Sequence, residues 1–349
     1  MSRQDPSNGP HRPPPAGTED ETIDVEDADA SVDSTVDLPS LAGEIPWTDT
    51  SSEPLVIAFA GGKGGAGRSL LAANVGLLLS RLGRCVVVAD LDPGGSNLHT
   101  YLGLEPLLPT PGSLLRQPGP PLIEKLSGTN LSLCRPPRPM GTGADDPLRA
   151  EALQAALAQR ADVVILDLGA QADPLTLDSY LAADAGIVVV LPEPVAVERS
   201  YAFLRAALYR RLMHGDDEPA VVARALLAAD QVGQLDTPAD LVAALNGVHP
   251  NAAAAIRARV MAFNPKILIN KCRSRSDRDM AAGVVSAVGR RLGINAEDLG
   301  GVEYDDAAWE ATRRRRPLLL EYPGSTLGAD VERMARRLLA TVGAREQRG

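Results

Sequence analysis

The stretch "LVIAFAGGKGGAGRSLLAANVGLLLSRLG", Leu55–Gly83, joins an apolar run to a glycine-rich loop and then to a helical pattern. The run Leu55–Ala60 is apolar throughout, as in a strand buried on both faces. The segment Gly62–Ser69 matches the pattern GxxxxGK[ST], except that Arg68 stands in place of the lysine. Backbone N–H groups of such a loop, together with a helix N-terminus, surround a phosphate group. We therefore predict a strand, a phosphate loop and a helix.

A second pattern overlaps the first. Gly62, Gly64 and Gly67 also satisfy GxGxxG, and Asp90 and Asp92 end the next apolar run. Glycines at this spacing, followed by an acid after the second strand, are typical of dinucleotide-binding folds. An NAD(P)-dependent dehydrogenase is therefore an alternative at this point.

Three features favour the phosphate loop over the dinucleotide site. Asp167 ends the apolar run "VVILD", where phosphate-loop enzymes place an acid for the water shell of Mg²⁺. Lys63 lies within the loop, where a phosphate would compensate its charge. Ser69 follows the last loop glycine at the spacing that gives its hydroxyl to Mg²⁺. These residues predict a bound nucleotide with Mg²⁺.

Short apolar runs alternate with helical patterns from Pro54 onward. Strands are predicted in "LVIAFA", "RCVVVADLD", "NLSLC", "ADVVILDLG", "AGIVVVLP", "ILIN" and "GGVEY". Residues 104–128 are rich in proline and leucine and are predicted to be irregular. Apolar strands that alternate with helices indicate a mostly parallel sheet covered by helices on both faces. The predicted fold is a three-layer α/β phosphate-loop fold.

Composition divides the chain into unequal parts. Residues 1–53 hold 13 acids and two arginines, which predicts a disordered acidic tail. The nucleotide-binding domain is predicted over 54–342 and a short tail over 343–349. Residues 214–262 form an Ala-rich helical pattern inside one long crossover, which predicts a helical insertion.

Charge and cysteine content restrict the class of protein. Beyond residue 53 the chain has 32 acids and 33 bases, which does not favour a DNA-coating protein. Its three cysteines form no CxxC pair, and no run reaches the ~18 apolar residues of a membrane span. We predict a soluble cytoplasmic protein.

The ordered motifs resemble one known family. "KGGAGRS" (Lys63–Ser69) is similar to KGGxGK[ST], the deviant Walker A motif of the MinD/ParA ATPases. "VVVADLDPGGSNLHTYLG" resembles the second-strand segment of the FlhG-like flagellar-number regulators in that family. "DVVILDLGAQ" resembles the Walker B and switch II segment, and "VVVLPEPVAVERSYAFL" the PEP segment. "ILINK" and "VEYDDAAWEATRRRRPLL" resemble the adenine-side strand and C-terminal helix. The resemblance covers roughly residues 54–342.

The resemblance implies a dimer that encloses two ATP molecules. Lys63 matches the lysine that reaches the phosphates of the partner subunit, and its charge would be compensated only by phosphate. Asp92 matches the acid that positions the attacking water. On this basis Lys63 and Asp92 are the predicted catalytic residues, and the homodimer is expected to depend on ATP.

The resemblance also implies roles in binding ATP and Mg²⁺. Asp90 and Asp167, with Ser69, match the metal-side residues, the two aspartates acting through water. Gly169 matches the N–H donor near the γ-phosphate, and Asn270 the residue that reads the adenine edge. An alternative role for Asp90 is to cap nearby N–H groups at the strand end. The predicted nucleotide-binding set is Gly62, Lys63, Gly64, Gly65, Ala66, Gly67, Arg68, Ser69, Leu70, Gly169 and Asn270.

Two residues depart from the family pattern. Arg68 keeps the charge of the missing lysine but is a planar fork, and Glu303 stands where the family often has proline. Because Asp92 and Asp167 are retained, we expect a switch protein with slow Mg²⁺-dependent ATP hydrolysis. Such a switch positions or regulates a flagellar, division or partition assembly. The alternative is a nucleotide-binding adaptor with little turnover.

The last helical pattern and an arginine run are the two segments that could indicate membrane or DNA binding. The last helical pattern carries one apolar face, for which core packing is favoured over a membrane anchor. "TRRRRP" (Thr312–Pro317) ends a helix before a proline, a place where arginines are common, so DNA binding is not favoured. A protein partner is expected to bind the acidic tail or the helical insertion. The apolar face consists of Val331, Met334, Leu338, Leu339 and Val342.

Overall fold

The computed structural model describes residues 54–92, 97–106, 122–135, 153, 155–157, 159–231 and 233–346. The predictions for residues 1–53 and 347–349 lie outside these ranges.

Within the described ranges, eight strands form one sheet. Their bounds are β1 Leu55–Ala60, β2 Val86–Leu91, β3 Leu122–Lys125, β4 Leu131–Arg135, β5 Val163–Leu168, β6 Ala185–Val190, β7 Lys266–Cys272 and β8 Glu297–Glu303. The order across the sheet is β3-β4-β2-β5-β1-β6-β7-β8, and every neighbouring pair is parallel except β3 with β4. The predicted mostly parallel sheet is confirmed.

The described helices cover both faces of this sheet. Their bounds are α1 Arg68–Arg81, α2 Leu98–Tyr101, α3 Pro174–Leu181, α4 Pro194–Met213, α5 Glu218–Ala229, α6 Pro238–Val248, α7 Pro250–Met261, α8 Arg275–Leu292, α9 Asp306–Arg313, α10 Leu318–Glu321 and α11 Thr326–Glu346. One apolar core joins α1, α2 and α9–α11 to the sheet, and a second joins α3–α8 to its other face. Alternate strand residues supply the two cores, which explains why the central strands are apolar throughout.

Helix α1 lies unusually close to the sheet. A methyl group at Gly76 would come within 2.7 Å of a methyl carbon of Val88, so only glycine fits there. Helix α1 starts directly after the phosphate loop. The close contact at Gly76 therefore holds the helix, and with it the end of the loop, against the sheet.

The segment predicted as a helical insertion contains α5, α6 and α7. Leu241, Leu245 and Ile256 of these helices are fully buried in the core that also covers β6 and β7. Arg205 of α4 donates hydrogen bonds to the carbonyl and the carboxylate of Asp236, at 3.1 and 2.7 Å, in the α5–α6 connection. The three helices thus extend one face of the sheet.

Two parts of the element order differ from the prediction. Strand β3 lies in a region predicted to be irregular. It is an exposed edge strand whose pairing with β4 comes from backbone hydrogen bonds and leaves no apolar pattern in the sequence. Helices α2, α3, α8 and α10 were also not predicted. In α8 the buried residues Ala281, Val284, Val288 and Leu292 recur at helical spacing, so this pattern was present in the sequence and was overlooked.

Helix α11 buries its apolar face. Val331, Met334, Leu338 and Leu339 are at most 7% exposed and join the core with α1, as the core-packing prediction required. No helix among the described residues is both long and apolar enough to cross a membrane.

The arginines at the end of α9 and directly after it have partners within the chain. Arg313 stacks on Trp309, with 4.9 Å from the guanidinium carbon to the ring centre. Arg314 pairs with Glu321 at 2.9 Å, and Arg315 donates to the carbonyl of Leu104 at 2.6 Å. These contacts agree with the structural role that the sequence favoured over DNA binding.

Candidate functional site

The carboxyl ends of the central strands gather the predicted site residues. In the parallel pairing of β2 with β5, Asp90 lies opposite Asp167, and Asp167 also lies opposite Phe59 of β1. Adjacent strands are about 4.8 Å apart, so both carboxylates lie beside the start of the phosphate loop. Ligands of α/β sheets bind at this edge.

The loop ends in an open helix N-terminus. Gly67 precedes α1 in the left-handed region, with φ of 88°, which favours glycine. No side chain caps α1, and its first turn contains no acid. Within the described part of the chain, the first N–H groups of α1, which include those of Ser69 and Leu70, thus lack a side-chain acceptor. Such an end attracts an anion.

Four carbonyl groups of the loop are held by side-chain donors. Arg68 donates to the carbonyls of Gly61 and Lys63, at 3.2 and 3.1 Å. Two residues at the end of β7 hold the other side of the loop: Asn270 donates to Ala66 at 2.7 Å, and Lys271 donates to Gly65 at 2.9 Å. Carbonyl and N–H point in opposite directions across a trans peptide, so these bonds also orient loop N–H groups.

Helix α4 supports the loop from the opposite side. A methyl group at Gly62 would lie 2.2 Å from the carbonyl of Arg199, and one at Gly61 would lie 2.6 Å from the carbonyl oxygen of Val189. Only glycine permits so close an approach of two backbones. By contrast, Gly64 and Gly65 are exposed with open space around them, on the side from which a ligand would approach.

Arg68 does not extend into solvent. Its side chain is 6% exposed, and its guanidinium lies 3.5 Å from a carboxylate oxygen of Asp92, in addition to its two loop carbonyls. The predicted phosphate-binding cation is thus joined to the predicted catalytic acid.

Asp167 carries the clearest electrostatic signal of the site. It is 1% exposed, and neither carboxylate oxygen has a hydrogen-bond partner of ordinary geometry among the described residues. Burial raises the pKa of Asp167 to about 7; Asp90 and Asp92 also raise it, whereas the Ser69 hydroxyl and Arg68 lower it. Buried polar groups are nearly always satisfied, and those that are not suggest a function.

These residues fit a hydrated divalent cation. Carboxylate and hydroxyl oxygens are the ligands that Mg²⁺ prefers, and Mg²⁺ keeps several waters when it binds with phosphates. A water shell between Asp167 and such a cation would supply the missing hydrogen bonds. Ser69 is next to the open helix end, where it would contact the cation directly.

Asp90 already has a partner in the structure. One of its oxygens accepts the N–H of Leu98 at 3.3 Å, at the start of α2. This is the capping role that the sequence left open as an alternative. Asp90 is 2% exposed and raises the pKa of Asp167. It therefore contributes charge to the site even without contacting a ligand.

One expectation for Lys63 is wrong. Its ammonium group pairs with the carboxylate of Glu193, at the start of α4. Phosphate is therefore not the only group that compensates this charge, because the chain supplies its own carboxylate. The side chains are 33% and 51% exposed, so a ligand could reach this pair.

Two other predicted residues lie at the site edge. Gly169 is buried. It directly follows β5 and is two residues after Asp167 in the chain. Asn270 is 2% exposed and is bonded to the loop carbonyl of Ala66. Its amide therefore shapes the loop, a contact that the sequence did not predict.

Sequence reasoning missed three contributors to the site: Glu193, Lys271 and the backbone of Arg199. Lys271 has a signal that is visible only in the structure, a φ of 60°, which is unusual for a residue other than glycine. Glu193 follows an apolar parallel strand, as Asp92 does, and that position could have marked it. Nothing in the sequence indicates the carbonyl of Arg199.

Sequence relatives match parts of the chain. It is 34% identical over 143 residues to the chromosome-partitioning ATPase Soj of Thermus thermophilus, which covers 41% of this chain and 57% of Soj. It is 28% identical over 169 residues to the antiactivator FleN of Pseudomonas aeruginosa, covering 43% of this chain and 55% of FleN. The matched segments span little more than half of each relative.

Solved structures match most of the chain. The fold resembles that in the MinC:MinD cell division protein complex of Aquifex aeolicus, with a TM-score of 0.50, 20% identity, and coverage of 82% of this chain and 96% of that one. It also resembles a ParA family ATPase of Chlorobium tepidum, with a TM-score of 0.51, 16% identity, and coverage of 82% and 98%.

A family model, the CobQ/CobB/MinD/ParA nucleotide binding domain, matches residues 57–337. This match includes the phosphate loop, the two aspartates predicted to lie on the metal side, Asp90 and Asp167, and Asn270. The chain therefore belongs to the CobQ/CobB/MinD/ParA family of nucleotide-binding domains.

Proposed function

We propose that this protein is an ATP-dependent switch that hydrolyses ATP slowly with Mg²⁺ and dimerises around the bound nucleotide. One observation carries the proposal: the buried carboxylate of Asp167, which has no hydrogen bond of ordinary geometry among the described residues, lies beside the Ser69 hydroxyl and an open helix N-terminus. An anion at the helix end and a hydrated cation between Ser69 and Asp167 would satisfy all three groups together.

Each residue has a task in this proposal. N–H groups from Gly64 to Leu70 surround the phosphates, and the N–H of Gly169 donates near the γ-phosphate. Mg²⁺, when bound, neutralises charge on the phosphate oxygens. Asp92 orients the attacking water.

Dimerisation would involve Lys63. In the monomer its ammonium is held by Glu193 of the same chain. An exposed ion pair of this kind is worth about 0.2–1 kcal/mol, so a triphosphate of the partner subunit would compete for Lys63 successfully. Lys63 would then change from an internal to an intersubunit contact when ATP binds.

A second candidate function is a nucleotide-binding adaptor with little turnover. The contacts of Arg68 favour it, because this guanidinium is bonded to loop carbonyls and to Asp92. A guanidinium held in this way is not directed at the phosphates, so the γ-phosphate would be placed poorly for hydrolysis. Substitution of Arg68 by lysine separates the two functions: an adaptor should gain turnover, and a site adapted to arginine should lose it.

The domain organisation is part of the proposal. Residues 54–342 form the nucleotide-binding unit, in which the helices of 214–262 are an insertion on one face. The acidic segment 1–53 or this insertion would bind a protein partner. Relatives described as a chromosome-partitioning ATPase, an antiactivator and a flagellum site-determining protein suggest a switch that positions or regulates a cellular assembly.

The decisive experiment combines nucleotide binding with ATP turnover. The purified full-length chain is titrated with a fluorescent ATP analogue and assayed for phosphate release with Mg²⁺, beside an Asp92→Ala variant. Turnover that is lost in the variant supports the switch. Tight binding with negligible turnover in both proteins supports the adaptor, and no binding overturns both proposals.

A further inference from the structure

Arg68 connects two parts of the site that are separate in the chain. Its guanidinium bonds the carbonyls of Gly61 and Lys63 at the start of the loop, and it reaches Asp92 just beyond β2. The side chain is 6% exposed and is therefore held in one place.

The donors of Arg68 are largely used by these contacts. Arginine has five N–H groups in a rigid fork. One terminal nitrogen serves both carbonyls and the other faces Asp92, whereas Nε has no partner among the described residues. Arg68 therefore has few donors left for a phosphate.

A lysine at this position would act differently. Its three donors lie on one nitrogen, so it would bond either the loop carbonyls or a carboxylate some distance away. The planar fork of arginine serves both groups at once. Replacing Arg68 by lysine keeps the charge and removes the connection.

We propose that Arg68 is a positioning residue, which holds the start of the phosphate loop and Asp92 in a fixed relation to each other. Through the carbonyls of Gly61 and Lys63 it orients the N–H groups of the same peptides. Through Asp92 it fixes the acid proposed to orient water. The consequence for catalysis rests on the proposed function, whereas the connection itself is a property of the nucleotide-free protein.

The first test uses the full-length protein without nucleotide. Amide hydrogen exchange, read by mass spectrometry, is compared for wild type, Arg68→Lys, Asp92→Asn and the double variant. Arg316→Lys is the matched control, since Arg316 is exposed and distant in sequence. We expect Arg68→Lys and Asp92→Asn each to speed exchange in peptides covering Gly61–Leu70, and the double variant to add little.

Two results would overturn the proposal. One is loop exchange that Asp92→Asn leaves at the wild-type rate, because the acid would then have no connection to the loop. The other is additive effects in the double variant. The Asp92→Asn comparison stands on its own if Arg68→Lys does not fold.

The second test uses ATP turnover. With Arg68→Lys we expect KM for ATP within about threefold of wild type and kcat lower by at least about tenfold, since a misplaced acid slows chemistry more than binding. Higher kcat in Arg68→Lys would show that Arg68 replaces the phosphate-binding lysine, and would overturn the positioning role. A wild-type protein that binds no ATP would overturn the proposed function and leave the exchange test intact.

Discussion

Asp167 and Asp330 are almost equally buried, yet the hydrogen bonds and ion pairs around their carboxylates differ. Asp330, in α11, is 2% exposed; it accepts the N–H of Glu303 at 2.8 Å and pairs with Arg278 and Arg333. Asp167, near the end of β5, is 1% exposed, and among the described residues it has no ion pair and no hydrogen bond of ordinary geometry. Burial alone therefore does not mark a functional site. A buried carboxylate that lacks such partners among the described residues is the better indication of a functional site.

The largest difference between the two regions should appear in the pH dependence of stability. The pKa of Asp167 is raised by burial from 3.8 to about 7. Between these values the folded carboxyl keeps its proton while the unfolded one has lost it. The free energy of unfolding should therefore fall as pH rises from about 4 to about 7, by on the order of 4 kcal/mol from this group.

Urea unfolding of nucleotide-free wild type and Asp167→Asn, at about pH 5 and about pH 8.5, measures this contribution. In Asp167→Asn, most of this decrease in the free energy of unfolding should be absent. An identical pH dependence in both proteins would mean that Asp167 is solvated in the folded state, and the contrast with Asp330 would disappear.

Removing Asp330 should have the next largest effect, on stability alone. Asp330→Ala leaves the partly exposed Arg278 and Arg333 guanidiniums and the Glu303 N–H without this acceptor, and losing such a hydrogen-bonded acceptor costs about 1–3 kcal/mol. Chemical unfolding measures the loss. The control is Asp279→Ala, an exposed acid of α8. Nucleotide affinity of the folded variant should match wild type, and a large loss of affinity would connect the two regions.

Asp167→Asn should have the opposite effect to Asp330→Ala: it should lower ATP turnover without lowering stability at alkaline pH. We expect Mg²⁺-dependent turnover to fall by about 100-fold, roughly 2.7 kcal/mol of transition-state stabilisation. At alkaline pH the folded variant should nevertheless be at least as stable as wild type, since a buried charge has been removed. Phosphate release and thermal unfolding test the two statements together. A variant that keeps its turnover would show that this carboxylate is not on the metal side of the site.

The smallest effect is expected for substitution of Glu193. This carboxylate has a partner, as Asp330 does, but its ion pair with Lys63 is exposed to solvent. Glu193→Gln releases Lys63, and the ATP concentration needed for dimerisation should fall by up to about fivefold. Sedimentation velocity across an ATP titration measures this. A need for more ATP would instead assign Glu193 a supporting role in the dimer.

Local sequence patterns made the fold and the phosphate loop predictable. The apolar strand, the glycine loop and the helix from Leu55 to Arg81 follow directly from local pattern. Asp90 and Asp167 lie far apart in the sequence, but each ends an apolar strand, and the carboxyl ends of parallel strands meet at one edge of the sheet.

Contacts between distant residues were not predictable. Lys63 and Glu193 are 130 positions apart, and Asn270 is 204 positions from Ala66. Whether Arg68 points to phosphate or to loop carbonyls depends on a side-chain orientation that no pattern encodes. Strand β3 has too little buried surface to leave an apolar period in the sequence.

The tight contact at Gly62 has a mechanical consequence. Because the loop backbone lies against the carbonyl of Arg199, the loop cannot move toward α4 without pushing the helix. Helix α4 has 20 residues and is therefore about 30 Å long. A small displacement near its first turns becomes a displacement of its far end at Met213, where the chain continues into α5. Helix α4 would thus act as a lever between the phosphate loop and a surface far from it.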